Sequence, residues 1–169
     1  MTKPFTVNVD RFDPYKNYRF RVYFGTTPVA GVSKVTGLKR SSDVIEYKEG
    51  GDPRIHKGIG RTKYEPITLE RGVTHDTEFE DWANAAQVLD KGDASSALGK
   101  LRKTIQIELL NEQGDPVQRY NVHRCWVSEY QALPELDASA NAVAIQILTL
   151  QNEGWRQLEV PELDEPSFE

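Results

Sequence analysis

Residues 45–72 read IEYKEGGDPRIHKGIGRTKYEPITLERG. Two strand-like runs, VIEYKE at 44–49 and PITLERG at 66–72, flank a glycine-rich, basic connection over residues 50–64. Such a connection cannot bury itself, because its backbone is too free and its side chains are too polar. Connections of this length inside a compact domain are uncommon and usually either functional or disordered. Folded as a hairpin, each arm of about eight residues would reach roughly 25 Å. That is enough to grip another subunit.

Outward from this segment the chain reads mainly as strands. In residues 17–24, NYRFRVYF, Tyr18, Phe20, Val22 and Phe24 alternate with Arg19, Arg21 and Tyr23, the period of a half-buried strand. Residues 25–28 form a turn, and 29–35 a second strand interrupted by Gly31. Pro66 opens the strand ITLER, a position a sheet tolerates. Ile105, Ile107 and Leu109 alternate with Gln106 and Glu108, and the turn signal NEQGDP at 111–116 follows. Residues 117–130 are long for one strand, so a bulge or bend is expected inside them. After a loop at 133–139, the last strand is expected over 141–155. It has Val143, Ile145 and Ile147 on one face and Leu148 and Leu150 on the other, a central strand covered twice. The helix is the clearest local signal. Thr77 and Glu80 form a capping box. Phe79, Trp82, Ala83, Ala86 and Leu89 make one apolar stripe. Asp76, Glu78, Glu80 and Asp81 crowd the positive end of the macrodipole, and Gly92 ends the helix. About seven antiparallel strands with one flanking helix point to a mainly β chain, a β-sandwich or split barrel.

The 169 residues fit one domain with a core of its own. Mean hydropathy is −0.60. No apolar run approaches membrane-spanning length, so no membrane insertion is expected. The first residues, MTKPFTVNVDRFDPYKN, carry no apolar leader, and synthesis in the cytoplasm is expected. Net charge is −5, unevenly placed. Residues 1–75 hold 14 Lys/Arg and 8 Asp/Glu, whereas 76–169 hold 7 and 18. Two readings stand: chance on solvated faces, or a basic surface of one copy meeting an acidic surface of the next, as in rings and filaments. The tail 157–169, with five acidic residues and two prolines, reads as an extended appendage.

Catalytic and ligand chemistry is not indicated. His56, His75 and His123 have no zinc-ligand spacing, and the lone Cys125 has no partner for a disulfide. No metal and no cofactor are expected. His123 and Cys125 alternate about Arg124, which should place both on one strand face. A buried structural cysteine is the stronger reading. Gly58-Ile59-Gly60 lacks a third glycine at Lys63 and precedes a strand, so the phosphate-binding fingerprint fails. Arg54, His56, Lys57, Arg61 and Lys63 make a basic cluster with only Tyr64 as an aromatic neighbour. Subunit contact suits it better than nucleic acid. An enzyme is not expected.

The landmarks DPYKNYRFRV (13–22), VSKVTGL (32–38), IEYKEGGD (45–52), KYEPITLERGVT (63–74), the Phe79/Trp82 helix and NAVAIQILTLQNEGW (141–155) resemble the tail-tube proteins of contractile phages and related injection particles. The resemblance implies a tail-tube domain over 1–156. It also implies hexameric rings whose sheets join into one closed ring sheet, stacked into a hollow conduit for DNA or protein cargo that is not bound specifically. Partners would be further copies of the chain, a contractile sheath, baseplate or hub proteins and a tube terminator. The final location would be a phage tail or injection particle. The stacking loop 49–65 would make the ring-to-ring contact through Glu49, Gly50, Gly51, Asp52, Arg54, His56, Lys57, Ile59, Arg61, Lys63 and Tyr64. The glycines would act as pivots, and Ile59 and Tyr64 as anchors. Asp76, Glu78, Glu80 and Asp81 are candidates for the sheath contact. Alternatives are a baseplate hub, a type VI secretion tube protein, or a small ligand-binding β-barrel.

Overall fold

The computed structural model describes residues 19–90 and 101–160. The strands run β1 (Phe20–Phe24), β2 (Thr27–Val29), β3 (Val32–Val35), β4 (Arg40–Tyr47), β5 (His56–Tyr64) and β6 (Ile67–Gly72). The helix α1 (Glu78–Asp90) follows, then β7 (Lys103–Leu110), β8 (Pro116–Gln131), β9 (Ile145–Gln151) and β10 (Trp155–Leu158). The expected residue Tyr18, the side chain of Leu89, the helix end at Gly92, the 92–99 loop and most of the acidic tail lie outside the described residues.

All pairings are antiparallel, in the order β2-β1-β7-β8-β9-β6-β3, with β10 also on β8. Strand β8 serves two arms. Its first half pairs with β7 and β10, and its second half, from Trp126, pairs with β9. Between the halves lies the bend that its length foretold. Arg124 there has φ 52°, a left-handed conformation uncommon for a residue with a side chain. The neighbouring strand breaks at the same level. His123 N–H donates to the Gly154 carbonyl (2.8 Å), and Glu153 N–H donates to the His123 carbonyl (3.1 Å). Glu153 also pairs with Arg124 and Arg102, at 3.2 and 3.1 Å. The expected single strand over 141–155 is therefore two, β9 and β10, folded across this corner.

Bending brings both arms onto one core. Val22, Phe24 and Val29 from one arm meet Ile67, Leu69, Leu148 and Leu150 from the other, with Val122, Cys125 and Val127 of β8 between them. The helix seals this core with Phe79, Trp82 and Ala83. Phe24 lies 5.8 Å from Phe79 and 4.7 Å from Trp82, centroid to centroid, and the Trp82 indole donates to the Leu101 carbonyl at 2.7 Å. The apolar stripe is thus the buried face, as its spacing predicts. The helix start differs from the expected capping box. Asp76 Oδ1 accepts from Glu78 N–H at 3.0 Å, and the Thr77 hydroxyl donates to Asp81 at 3.1 Å. Asp76 precedes the first turn and reaches an orphan N–H that Thr77 leaves open.

Three further expectations change. Ten strands form among the described residues where about seven are expected. Residues 29–35 split at Gly31 (φ 77°) because β2 pairs with β1 while β3 crosses to β6. The fold is mainly β with one large antiparallel sheet, but the sheet does not close into a barrel. Its arms end on β2 and β3, three and four residues long.

Arg71 is the one fully buried cation among the described residues. Its Nε donates to Gln146 Oε1 (3.1 Å), its guanidinium pairs with Asp76 Oδ2 (3.2 Å), and its Cζ lies 4.0 Å from the Phe79 ring centroid. One side chain thus ties β6 and β9 to the helix start. Arg71→Met should lower the unfolding free energy by about 3 kcal/mol, because removing one partner strands the other's charge. Arg71→Lys should recover only part, since an ammonium lacks the planar fork. Urea denaturation of the two variants checks this, and a loss under about 1 kcal/mol for the first would contradict it.

Candidate assembly interface

Strands β4 and β5 pair only with each other. Every residue of β4 is exposed. The segment expected to be a glycine-rich connection is thus an eight- and nine-residue ribbon, and its tip is only residues 48–55. Across the strands Val44 faces Ile59, so both occupy one face, while Ile45 and Tyr47 occupy the other. Ile59 is 86% exposed and Val44 62%. A ribbon with apolar residues bare on both faces gains nothing from standing alone in water.

The ribbon is held at its root. Tyr64 and Tyr120 meet the Trp155 ring edge-on, at 6.3 and 6.0 Å, and the Arg40 guanidinium lies over it at 5.8 Å. Gly154 sits against Tyr64 with φ 134°, and a Cβ there would come to 3.3 Å from the ring. Asn152 Nδ2 donates to the Glu65 carbonyl at 3.0 Å. Tyr64 therefore anchors the ribbon to its own subunit. Among the expected pivots only Gly51 has a positive φ, 94°. Gly58 and Gly60 lie inside β5, and a Cβ on Gly60 would come to 2.9 Å from the Asp43 carbonyl oxygen. That glycine permits close strand approach at a bulge.

The remaining expected residues line the ribbon. The Glu49 carbonyl accepts from Asp52 N–H (3.2 Å), and Asp52 accepts from Arg54 N–H (2.9 Å) and lies 3.0 Å from His56 Nε2. His56 stacks on Tyr47 at 5.4 Å. Lys57 faces Glu46 at 3.9 Å and Lys63 faces Asp43 at 3.3 Å. Arg54 and Arg61 are exposed without a carboxylate partner among the described residues. The candidate sheath residues divide. Asp76 is committed to Arg71 and the helix start, and Asp81 to Thr77, while Glu80 stands exposed. Glu78 is half-buried, with Oε2 lacking a hydrogen-bond partner. Burial first, then Asp76 and Asp81, raise its pKa above 4.5 against the pull of Arg71 and Lys103.

Sequence reasoning missed a second exposed apolar segment. Leu133, Leu136 and Val143 stand bare between β8 and β9. Only the backbone course reveals it, because short apolar residues in a polar loop carry no periodicity. The expected His123–Cys125 pairing on one face is overturned. The positive φ at Arg124 breaks the alternation, leaving His123 exposed and Cys125 fully buried. Burial pushes the Cys125 thiol up to about 12.

The model of the T4-like virus tail tube protein gp19 family matches residues 16–156. The chain belongs to this tail-tube family. It is a structural tube subunit. Among solved structures it is similar to a chain of an extracellular contractile injection system, the PVC sheath-tube complex in the extended state. That match has 28% identity and TM-score 0.73, covering 94% of this chain and 100% of that one. A chain of the anti-feeding prophage tube terminating cap matches at 25% identity and TM-score 0.72, covering 92% and 100%. A chain of the same prophage's baseplate matches at 25% and 0.71, covering 89% and 99%. A type six secretion system protein, at 10% identity and TM-score 0.50, shares the fold alone. No match was found among curated proteins.

Two outcomes follow for the tube subunit's titratable groups. Ionising Glu78 is disfavoured on folding. This cost is absent below the unfolded value near 4.5 and grows as pH rises through the higher folded value. Glu78→Gln should raise the thermal midpoint at neutral pH, with the gain fading by about pH 4; an equal gain at both would show that charge is not the cause. Cys125 should react with a thiol reagent only as the protein unfolds, and rapid labelling of the native chain would place it at the surface instead.

Proposed function

We propose that this tube subunit closes into hexameric rings through its sheet edges, and that the rings stack by the β4–β5 ribbon into a hollow conduit. The observation that carries this reading is the ribbon itself: rooted on Trp155, extended, and apolar on both faces. Ring closure would use the outer sides of β2, β3 and β10. Strands β1 and β9 are interior in the sheet and already paired on both sides, so they offer no free edge. Completing the edges removes the unpaired backbone groups that otherwise invite aggregation. Permanent interfaces of this kind bury about 2,000 Å² or more. The whole loop 49–65, including Glu49, Gly50, Gly51, Asp52, Arg54, His56, Lys57, Ile59, Arg61 and Lys63, then serves contact between rings, with Tyr64 as its inner anchor.

Partners follow from the assemblies its relatives belong to. A contractile sheath surrounds the tube, a baseplate starts it and a cap ends it. Glu80 on α1 is the best placed of the acidic residues for the sheath. Cargo passes along the lumen without a dedicated site. The role is structural and not catalytic, consistent with the neutral, buried Cys125. The particle is the protein's final location.

Val44→Asp with Ile59→Asp tests the ribbon. Both residues are exposed, so monomer stability should change by less than about 0.5 kcal/mol. Electron microscopy and light scattering should show rings retained and stacked tubes lost. Tubes of normal length from this variant would remove the ribbon from the stacking contact.

A further inference from the structure

Ten large apolar residues stand exposed among the described residues, and eight of them lie on two segments. Val44, Ile45, Tyr47, Ile55 and Ile59 are on the ribbon; Leu133, Leu136 and Val143 are on the connection between β8 and β9. Leu136 is 71% exposed and Val143 78%. The connection is ordered by its own bonds. Asp137 accepts from Ser139 N–H (2.9 Å) and from its hydroxyl (2.6 Å), and Ala140 N–H donates to the Asp137 carbonyl (3.1 Å). At its far end Val73 N–H donates to the Ala144 carbonyl (2.9 Å), which ties it to the end of β6. It is an internally bonded surface that no other described residue covers.

The two segments carry opposite charge. Residues 40–64 hold six Lys/Arg and four Asp/Glu, while 129–144 hold Glu129, Glu135 and Asp137 and no cation. Half of the ribbon's formal charges are paired within it, at Asp43–Lys63, Glu46–Lys57 and Asp52–His56. Arg40 lies over Trp155, and Lys48 and Glu49 are neighbours of opposite charge at the tip, so Arg54 and Arg61 are the cations left without a counter-charge beside them. On the other segment Glu129 and Glu135 are likewise exposed and without a cation among the described residues. Arg54 and Arg61, on either side of Ile55 and Ile59 along the ribbon, thus match in charge Glu129 and Glu135, on either side of Leu133 in the other segment. The acidic start of α1 offers Glu80 and Asp81 but no large exposed apolar residue, so it supplies only half of the complement.

We propose that residues 129–144 of a second copy are the surface that receives the β4–β5 ribbon. The apolar residues Ile59 and Val44 meet Leu136 and its neighbours, and Arg54 and Arg61 meet Glu129 and Glu135. The contact is heterologous, since each copy offers its ribbon to one neighbour and its receiving segment to another. Such contacts propagate instead of closing on a pair. The apolar patches supply the burial, and the four charges set register and partner choice. The proposal rests on the tube reading above and adds to it the identity of the docking surface.

Paired cysteines in the full chain test it. Cys125 is buried and unreactive, so Ile59→Cys with Leu136→Cys introduces the only accessible thiols among the described residues. Tubes assembled from this variant and oxidised should give a denaturing-gel ladder of linked chains, absent from either single variant. In parallel, Arg54→Glu with Arg61→Glu should cut tube yield at least tenfold, as should Glu129→Lys with Glu135→Lys. The fourfold variant should recover most of the yield. Intact wild-type tubes with no ladder and no rescue would overturn the docking surface while leaving the tube reading in place. A wild-type chain that forms neither rings nor tubes alongside its baseplate partner would overturn both.

Discussion

Strand β8 cannot satisfy both arms of the sheet while straight. Its first half is committed to β7 and β10 and its second to β9. The two sets of inward residues meet only if the strand turns between them. Arg124 accepts a left-handed backbone to make that turn, at a cost of order 1–3 kcal/mol. The corner is held by backbone bonds between His123 and Gly154 and by the Glu153 carboxylate between two arginines. Everything downstream uses this corner. It brings Val22 and Leu150 into one core, lets α1 cover both arms, and places Trp155 under the root of the ribbon.

Two kinds of apolar surface therefore coexist in one chain. The core is closed by neighbours from distant parts of the sequence and has Cys125 at its centre. The ribbon and the segment after β8 are open, because no element among the described residues covers them. Arg71 belongs to the first kind. Its fork is spent on Gln146, Asp76 and the Phe79 face, so it supports the scaffold and leaves partner contact to the exposed arginines. The rigid part of the molecule thus holds the exposed ribbon by its root, in the fixed orientation that the proposed stacking of copies uses.

Local patterns were readable where one period decided the outcome. The alternation in β1, the turn at residues 111–116 and the stripe Phe79, Trp82, Ala83 all stand in the structure as the sequence implies, whereas in β7 Glu108 is buried against Arg119 while Ile107 and Leu109 are half-buried. Elements failed where tertiary pairing overrode the pattern. Residues 29–35 look continuous but divide at Gly31 because their two halves serve different arms. Residues 141–155 look continuous but break opposite Arg124. The ribbon was legible as something long and unburied. Its strand character in β5 was not, because Gly58 and Gly60 dilute the β signal that cross-strand pairing then restores. Tyr64 was read as reaching outward, and only the position of Trp155 shows that it faces home. The apolar segment at 133–143 carries no sequence signature, since exposure there depends on where β8 and β9 end.

Both long margins of the β4–β5 ribbon present backbone donors and acceptors with no strand beside them among the described residues. Asp43 and Glu46 on β4, and Lys57, Arg61 and Lys63 on β5, oppose the zippering of like margins of free ribbons. Under the proposed stacking, the same chain resists pairing its like margins with sister copies yet offers them its apolar faces. Growth of the proposed tube then favours an end that already displays the complementary surface in register.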